Sequence, residues 1–155
     1  MSKKNPADEI TEILVKHDLY RFMPSHVSRP MTGASDADKF EQAKWMNYVY
    51  EQCWSKMGAE DSVRVKDLLA EIYEDIGSRG NAEAMRYAAC AIANGAYHQT
   101  IERNPNGYRI GCKPDFERAA EWARKSEALG DDIAAKIRPQ LEEDAKSAKA
   151  KPPQP

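Results

Sequence analysis

What the chain lacks narrows its chemistry first. Cysteine is scarce: Cys53, Cys90 and Cys112 are an odd number at wide spacing, so neither a disulfide framework nor a C-x-x-C zinc pair is available and the thiols are expected to be reduced. No apolar run approaches the roughly 18 residues that a membrane span needs. A signal peptide is not expected either, because Asp8, Glu9 and Glu12 interrupt the place where its apolar region would follow Lys3 and Lys4, and the reading is a cytoplasmic protein with no membrane partner. The three histidines, His17, His26 and His98, lie far apart and without Cys, Asp or Glu at metal-ligand spacing, which gives no metal to expect. A Gly-rich phosphate loop, a G-x-S-x-G elbow and a kinase signature are all missing, so no cofactor and no catalytic residue is expected. A surplus of either charge is missing too. Basic and acidic residues number 8 and 9 over residues 1–60, 4 and 6 over 61–100, and 11 and 10 over 101–155, so there is no basic stripe and nucleic acid is not an expected ligand.

What is present is helical periodicity between Pro and Gly punctuation. Asn5 before Pro6, with Asp8 and Glu9 in the first turn, introduces the stripe Ile10, Ile13, Leu14, His17 and predicts a first helix over about 6–20. Residues 21–34 hold Pro24, Pro30 and Gly33 and read as an irregular connection that packs through Phe22, Met23 and Val27. Ser35 caps a second helix whose apolar face runs from Phe40 to Met57. Val65, Leu68, Leu69, Ile72, Tyr73 and Ile76 mark a third, closed at Gly80, and residues 82–94 a fourth, closed at Gly95. After an irregular stretch from 96 to 114, a fifth helix spans 115–129 and a sixth runs on from about 131, where Pro139 is expected to kink or interrupt it. Asp115 reads as the cap of the fifth helix rather than as a catalytic acid. The cysteines read as packing residues, Cys53 and Cys90 on apolar stripes and Cys112 in a loop. The expected domain is 1–145, with N-terminal helices over 6–60, a repeat region over 61–145 and a disordered tail over 146–155.

The junctions Gly80-Asn81-Ala82-Glu83-Ala84 and Gly130-Asp131-Asp132-Ile133-Ala134 repeat one device, a Gly that ends a helix followed by an Asn or Asp that caps the next. Removing about 14 residues as an insertion between Gly95 and Gly111 brings their spacing to about 36, in the range of two-helix repeats. Ala84, Ala88, Ala89, Ile92 and Gly95, then Gly111, Cys112, Asp115, Arg118, Ala119, Trp122, Lys125, Gly130, Asp131 and Ala134, resemble the Sel-one-like repeat, a variant of the tetratricopeptide helix pair, over about residues 68–136. The resemblance implies an all-α fold, a short α-solenoid or bundle of antiparallel helix pairs with an N-terminal helical cap. No strand is expected between 60 and 135, and a strand pair there would count against the repeat. Trp122 is expected in the core, where its truncation would cost roughly 3 to 5 kcal/mol.

The resemblance also implies a non-enzymatic adaptor that binds another protein; the alternatives are a small inhibitor, of the immunity-protein or phage-antagonist kind, and, third, an enzyme with a dispersed site. Helical phase places Arg86, Tyr87 and Asn94 on the concave face of such a stack. The oversized connection adds Tyr97, His98, Arg103, Tyr108 and Arg109, aromatic and Arg anchors of the kind that dominate interface hot spots. Replacing 97–109 by a short link is expected to spare stability and weaken partner binding, unless the segment is a disordered excursion. Trp45, Tyr48, Tyr50 and Trp54 crowd the second helix more fully than one stripe can bury, as either a second contact surface or a cover for 21–34.

Overall fold

The computed structural model describes residues 4–28 and 33–150, so Lys3, Pro30 and residues 151–155 of the expected tail lie outside the described residues. Its first helix, α1 (Pro6–Lys16), begins as the sequence requires: the Asn5 side chain accepts the Ala7 N–H at 2.8 Å, and Pro6 sits where its missing N–H costs nothing. It ends short of residue 20 because Asp18 turns left-handed, at φ +57°, and the Leu19 N–H folds back onto the Leu14 carbonyl at 2.7 Å. Two short 3-10 turns, Tyr20–Phe22 and Ser25–Val27, follow and bury Met23 and Val27, while Phe22 stays 48% exposed. Buried Gln42 fixes this connection by donating to the Val27 carbonyl at 2.8 Å.

Helices α2 (Asp36–Cys53), α3 (Ala59–Ser78), α4 (Ala82–Ala93), α5 (Phe116–Ala128) and α6 (Asp132–Ala150) complete the helical frame. Both α1 and α2 pack on α3; from there each helix packs chiefly on the next. One apolar cluster joins Ile10, Leu14, Phe40, Met46, Val65, Leu69 and Tyr73 across the first three helices, and a second, built largely from Ala89, Ala119, Ala120, Ala123 and Leu141, joins α4 to α6. The small residues of that second cluster let the backbones approach closely. The two junctions share their geometry. Gly80 and Gly130 are left-handed at φ +102° and +95°, and Asn81 and Asp131 accept the N–H of Ala84 at 2.9 Å and of Ala134 at 2.8 Å.

The protein is mostly helical, but the expectation of a strand-free 60–135 is wrong. Residues 96–114 are not an irregular loop: β1 (Gln99–Asn104) and β2 (Gly107–Cys112) pair antiparallel, with Asn104 opposite Gly107 and Gln99 opposite Cys112. Asn104-Pro105-Asn106-Gly107 makes the turn. Pro105 supplies the fixed φ of a turn residue, and the Asn104 side chain accepts the Asn106 N–H at 2.9 Å. A plain helix pair joined by a few residues is therefore not what links α4 to α5.

Three further expectations change. The α6 helix runs on through Pro139 rather than breaking there, and it stays helical to Ala150, so residues 146–150 of the expected disordered tail are helical. Cys53 is buried, but Cys90 and Cys112 are exposed rather than packed. Trp122 is half-buried at the seam between the two clusters, not a core filler, because its Nε1–H reaches out to the Glu74 Oε2 at 2.8 Å. The cost of Trp122→Ala should accordingly fall to about 2 kcal/mol, below the 3 to 5 of a fully buried indole. Urea unfolding checks it, and a cost at or above the buried value would contradict this placement.

Candidate functional site

On α3, Lys66, Leu69 and Tyr73 follow one another at helical spacing, so a lysine stands in line with two apolar residues. On α2 the residues Asn47, Tyr50 and Glu51 share a face, and on α4 so do Arg86, Tyr87, Cys90, Ala91 and Asn94. Because α2 and α4 both lie on α3, these three faces meet and enclose a groove of about 340 Å³. Tyr73 and Tyr87 line one side of it edge to face, with ring centroids 5.3 Å apart, and Phe40 packs on both rings at 6.0 and 5.2 Å, a geometry that fixes each ring's position.

The polar groups of the groove divide into spent and unspent. The Arg86 guanidinium is spent: its Nε donates to Asp131 at 3.1 Å across the α5–α6 junction, and it stacks over the Tyr87 ring at 5.3 Å. Burial works against the Asp131 charge, yet the Ala134 N–H and Arg86 together hold that carboxyl below the usual carboxylate range. Lys66 is unspent. Its Nζ lies 5.8 Å from the Tyr50 ring centroid and no carboxylate among the described residues comes within ion-pair distance; burial lowers its pKa, and Cys112, Glu51 and Asp67 oppose that shift. The Tyr73 hydroxyl is buried without a hydrogen-bond partner, and burial raises its pKa so that it keeps its proton. Cys90, an exposed thiol, lines the same space.

Of the residues expected at a binding surface, Arg86, Tyr87 and Asn94 come together in this groove. The other five belong to the hairpin and its entry, and most of them are engaged within the chain. Tyr97 is half-buried: its N–H donates to Asp67 at 2.7 Å and its hydroxyl to Glu74 at 2.7 Å. Arg103 pairs with Glu60 at the start of α3, and Arg109 with Glu102 across the ladder at 3.0 Å. Tyr108 is half-buried opposite Arg103, while His98 is exposed and lies with Arg109 on a shallow face of the sheet. Replacing 97–109 would therefore remove anchored structure, contrary to the expectation that it would spare stability.

The aromatics of α2 split. Tyr50 is buried and turns into the groove, whereas Trp45 and Tyr48 stack edge to face at 5.8 Å on the outside, where Tyr48 is 54% exposed. Missed by sequence reasoning were Lys66, Tyr73 and Asn47. The signal for the first two was the lysine standing within the spacing of Leu69 and Tyr73.

Among the described residues, no group of three His, Cys, Asp or Glu side chains is placed to hold a metal ion, and no helix is long and apolar enough to cross a membrane. Comparison with known proteins finds no family model that matches this chain, and no curated protein or solved structure similar to it.

Proposed function

We propose that this protein is a non-enzymatic adaptor that holds a segment of another protein in the groove between α2 and α4. The observation that carries the reading is the meeting of ordered aromatic walls with unspent donors, Lys66 and Asn94, in one concave space. A cavity of about 340 Å³ is at the small end of ligand sites. It suits one or two anchor side chains of a larger partner, which is how interfaces concentrate their energy. A protein is favoured over nucleic acid or a lipid surface because the arginines pair with carboxylates: Arg64 with Glu9, Arg79 with Asp36 and Asp75, Arg118 with Glu74, Arg138 with Glu127. Little basic surface is left to meet phosphates.

The same reading takes α4 and α5 as a Sel-one-like pair interrupted by β1 and β2, within a short solenoid that α1 and α2 cap. The twin junctions at Gly80 and Gly130 support it, and the hairpin weighs against it. The groove reading does not depend on the outcome.

The test is site-specific photo-cross-linking in the native host, with the cross-linker placed at Asn94 in the groove, at Arg109 on the hairpin, at Tyr48 on the outer aromatic surface and at Lys136 on α6. A single partner captured from Asn94, and not from Lys136, is the expected result. Capture from Arg109 or Tyr48 alone would move the contact to those surfaces and refute the groove. If the captured partner is an enzyme that loses activity in the complex, the protein acts as its inhibitor.

A further inference from the structure

We infer that the open edge of the hairpin pairs with the same edge of a second copy of this chain, β2 against β2 about a twofold axis at Ile110, to make one four-stranded antiparallel sheet. The pairing is independent of the groove.

The ladder fixes which main-chain groups are free. Just beyond the strand ends the Lys113 N–H donates to the His98 carbonyl at 3.1 Å, so that pair is a bonded one, and by alternation so are Thr100 with Gly111, Glu102 with Arg109 and Asn104 with Gly107. The residues between them on β2, Tyr108, Ile110 and Cys112, therefore aim their N–H and C=O groups out of the hairpin. Among the described residues nothing takes these groups up: the sheet has two strands, β1 lies on α3, and β2 packs along no element but β1. The usual guards of an exposed edge are missing. β2 holds no proline, its register runs without a bulge, and its one charged side chain, Arg109, is paired with Glu102 at 3.0 Å.

The sequence of β2 selects its own copy as the occupant. With the axis at Ile110, Tyr108 stands opposite Cys112 of the other copy and Ile110 opposite itself, so every free group on both edges meets a partner, whereas an axis at Tyr108 or Cys112 leaves some of them over. The side chains agree with this register. Ile101 and Ile110 are paired and only half-buried in the single chain; across the axis they become an unbroken row of isoleucines on one face, the β-branched contact that stabilises sheets. On the other face Arg109 meets Gly111, which has no side chain to obstruct it, and each Arg109 keeps its own Glu102, so no like charges stand directly opposite. A strand of unrelated sequence would gain the main-chain bonds without the isoleucine row. Because both β1 strands lie on α3, the sheet closes at two copies and does not grow into a fibre.

Sedimentation of the full chain across the micromolar to millimolar range should show a monomer–dimer equilibrium. Ile110→Pro removes the N–H on the axis and leaves the hairpin its own bonds, since that N–H faces out; it should weaken the dimer at least about tenfold. Tyr108→Cys gives a second readout that does not depend on a tolerated proline. The new thiol would lie about 5.5 Å, Cα to Cα, from Cys112 of the other copy, within the ~4.4 to 6.8 Å that a disulfide spans. Cys112 of its own chain is roughly 13 Å away along the strand. Oxidation should therefore join two chains through positions 108 and 112, identified by peptide mass mapping, whereas Glu102→Cys on the outer strand should give no link to Cys112. A monomer throughout the range, a dimer that Ile110→Pro leaves as tight as before, or absence of the link between 108 and 112 would each overturn the pairing. In the first case, capture of a different protein by a cross-linker at Arg109 would assign the edge to that protein.

Discussion

Gly95→Ala should destabilise the protein by roughly 2 to 5 kcal/mol, the sum of about 1 to 2 for a left-handed residue with a Cβ and about 1 to 3 for overpacking. Gly95 ends α4 at φ +104°, with its N–H on the Ile92 carbonyl at 3.0 Å and the following Ala96 N–H on the Ala91 carbonyl at 3.0 Å. This closure is how helices commonly stop, and it asks for glycine. Here a second demand is added. A Cβ built at this position would lie 2.7 Å from the Cys112 Cβ and 3.2 Å from its Sγ, because the foot of the hairpin is laid directly against the helix end. The Cys112 Cβ is fixed to the backbone of β2 and cannot swing aside, so relief requires moving the strand. Gly80 provides the comparison: it is left-handed at φ +102°, but a Cβ there meets nothing within 4 Å. Gly80→Ala should therefore show only the conformational part, about 1 to 2 kcal/mol. Urea midpoints at unchanged slope measure both. Equal costs at the two sites would mean that the hairpin does not press on Gly95.

The contrast between these glycines also shows how far the sequence could be read. Both looked alike, each a Gly after a helical stripe, and the caps around them follow from short-range rules: Ser35, Asn81, Asp115 and Asp131 all accept the N–H three residues on. Local chemistry of that kind is legible because cap and donor are neighbours in the chain. The hairpin was not, for a physical reason. Its strands carry few apolar residues, Ile101, Tyr108 and Ile110 are only half-buried, and the remainder is polar on both faces, so the alternation that marks a strand is faint. Only Asn104-Pro105-Asn106-Gly107 announced a turn. A hairpin of two strands is marginal by itself, and this one is held by Arg103 on Glu60 and Tyr97 on α3, contacts between residues far apart in sequence. The groove was half legible. Helical phase gathered Arg86, Tyr87 and Asn94, but it could not show that α2 would face them across α3, or that Lys66 and the Tyr73 hydroxyl would be left without partners.

Glu74→Ala should cost about 3 kcal/mol, since hydrogen bonds to a charged acceptor contribute about 1.5 to 3 each and stranded donors add their own desolvation. One carboxylate on α3 serves three side chains from elsewhere. Its Oε1 accepts the Tyr97 hydroxyl at 2.7 Å and an Arg118 Nη2 at 2.8 Å, while its Oε2 accepts the Trp122 Nε1–H at 2.8 Å and the Arg118 Nε at 3.0 Å. Arg118 also covers the Tyr97 ring at 4.8 Å. The Glu74 side chain is 15% exposed and that of Arg118 is 44%, so water can replace the guanidinium's part and the ion pair itself adds little. The half-buried Tyr97 and Trp122 donors cannot recover so easily. Burial, then the hydrogen bond to Glu74, raises the Tyr97 pKa, which keeps the hydroxyl protonated and donating. Tyr97→Phe alone should cost about 1 kcal/mol, and a double-mutant cycle with Glu74→Ala should show coupling of similar size. Because Tyr97 opens the hairpin at a left-handed φ of +73°, a conformation that a tyrosine holds only when its surroundings impose it, loss of Glu74 should act unevenly. Amides of β1 and β2 should exchange with solvent well before those of α2 and α3. Uniform exchange across the chain, or coupling indistinguishable from zero, would show that the hairpin is held by its own ladder and not by this carboxylate.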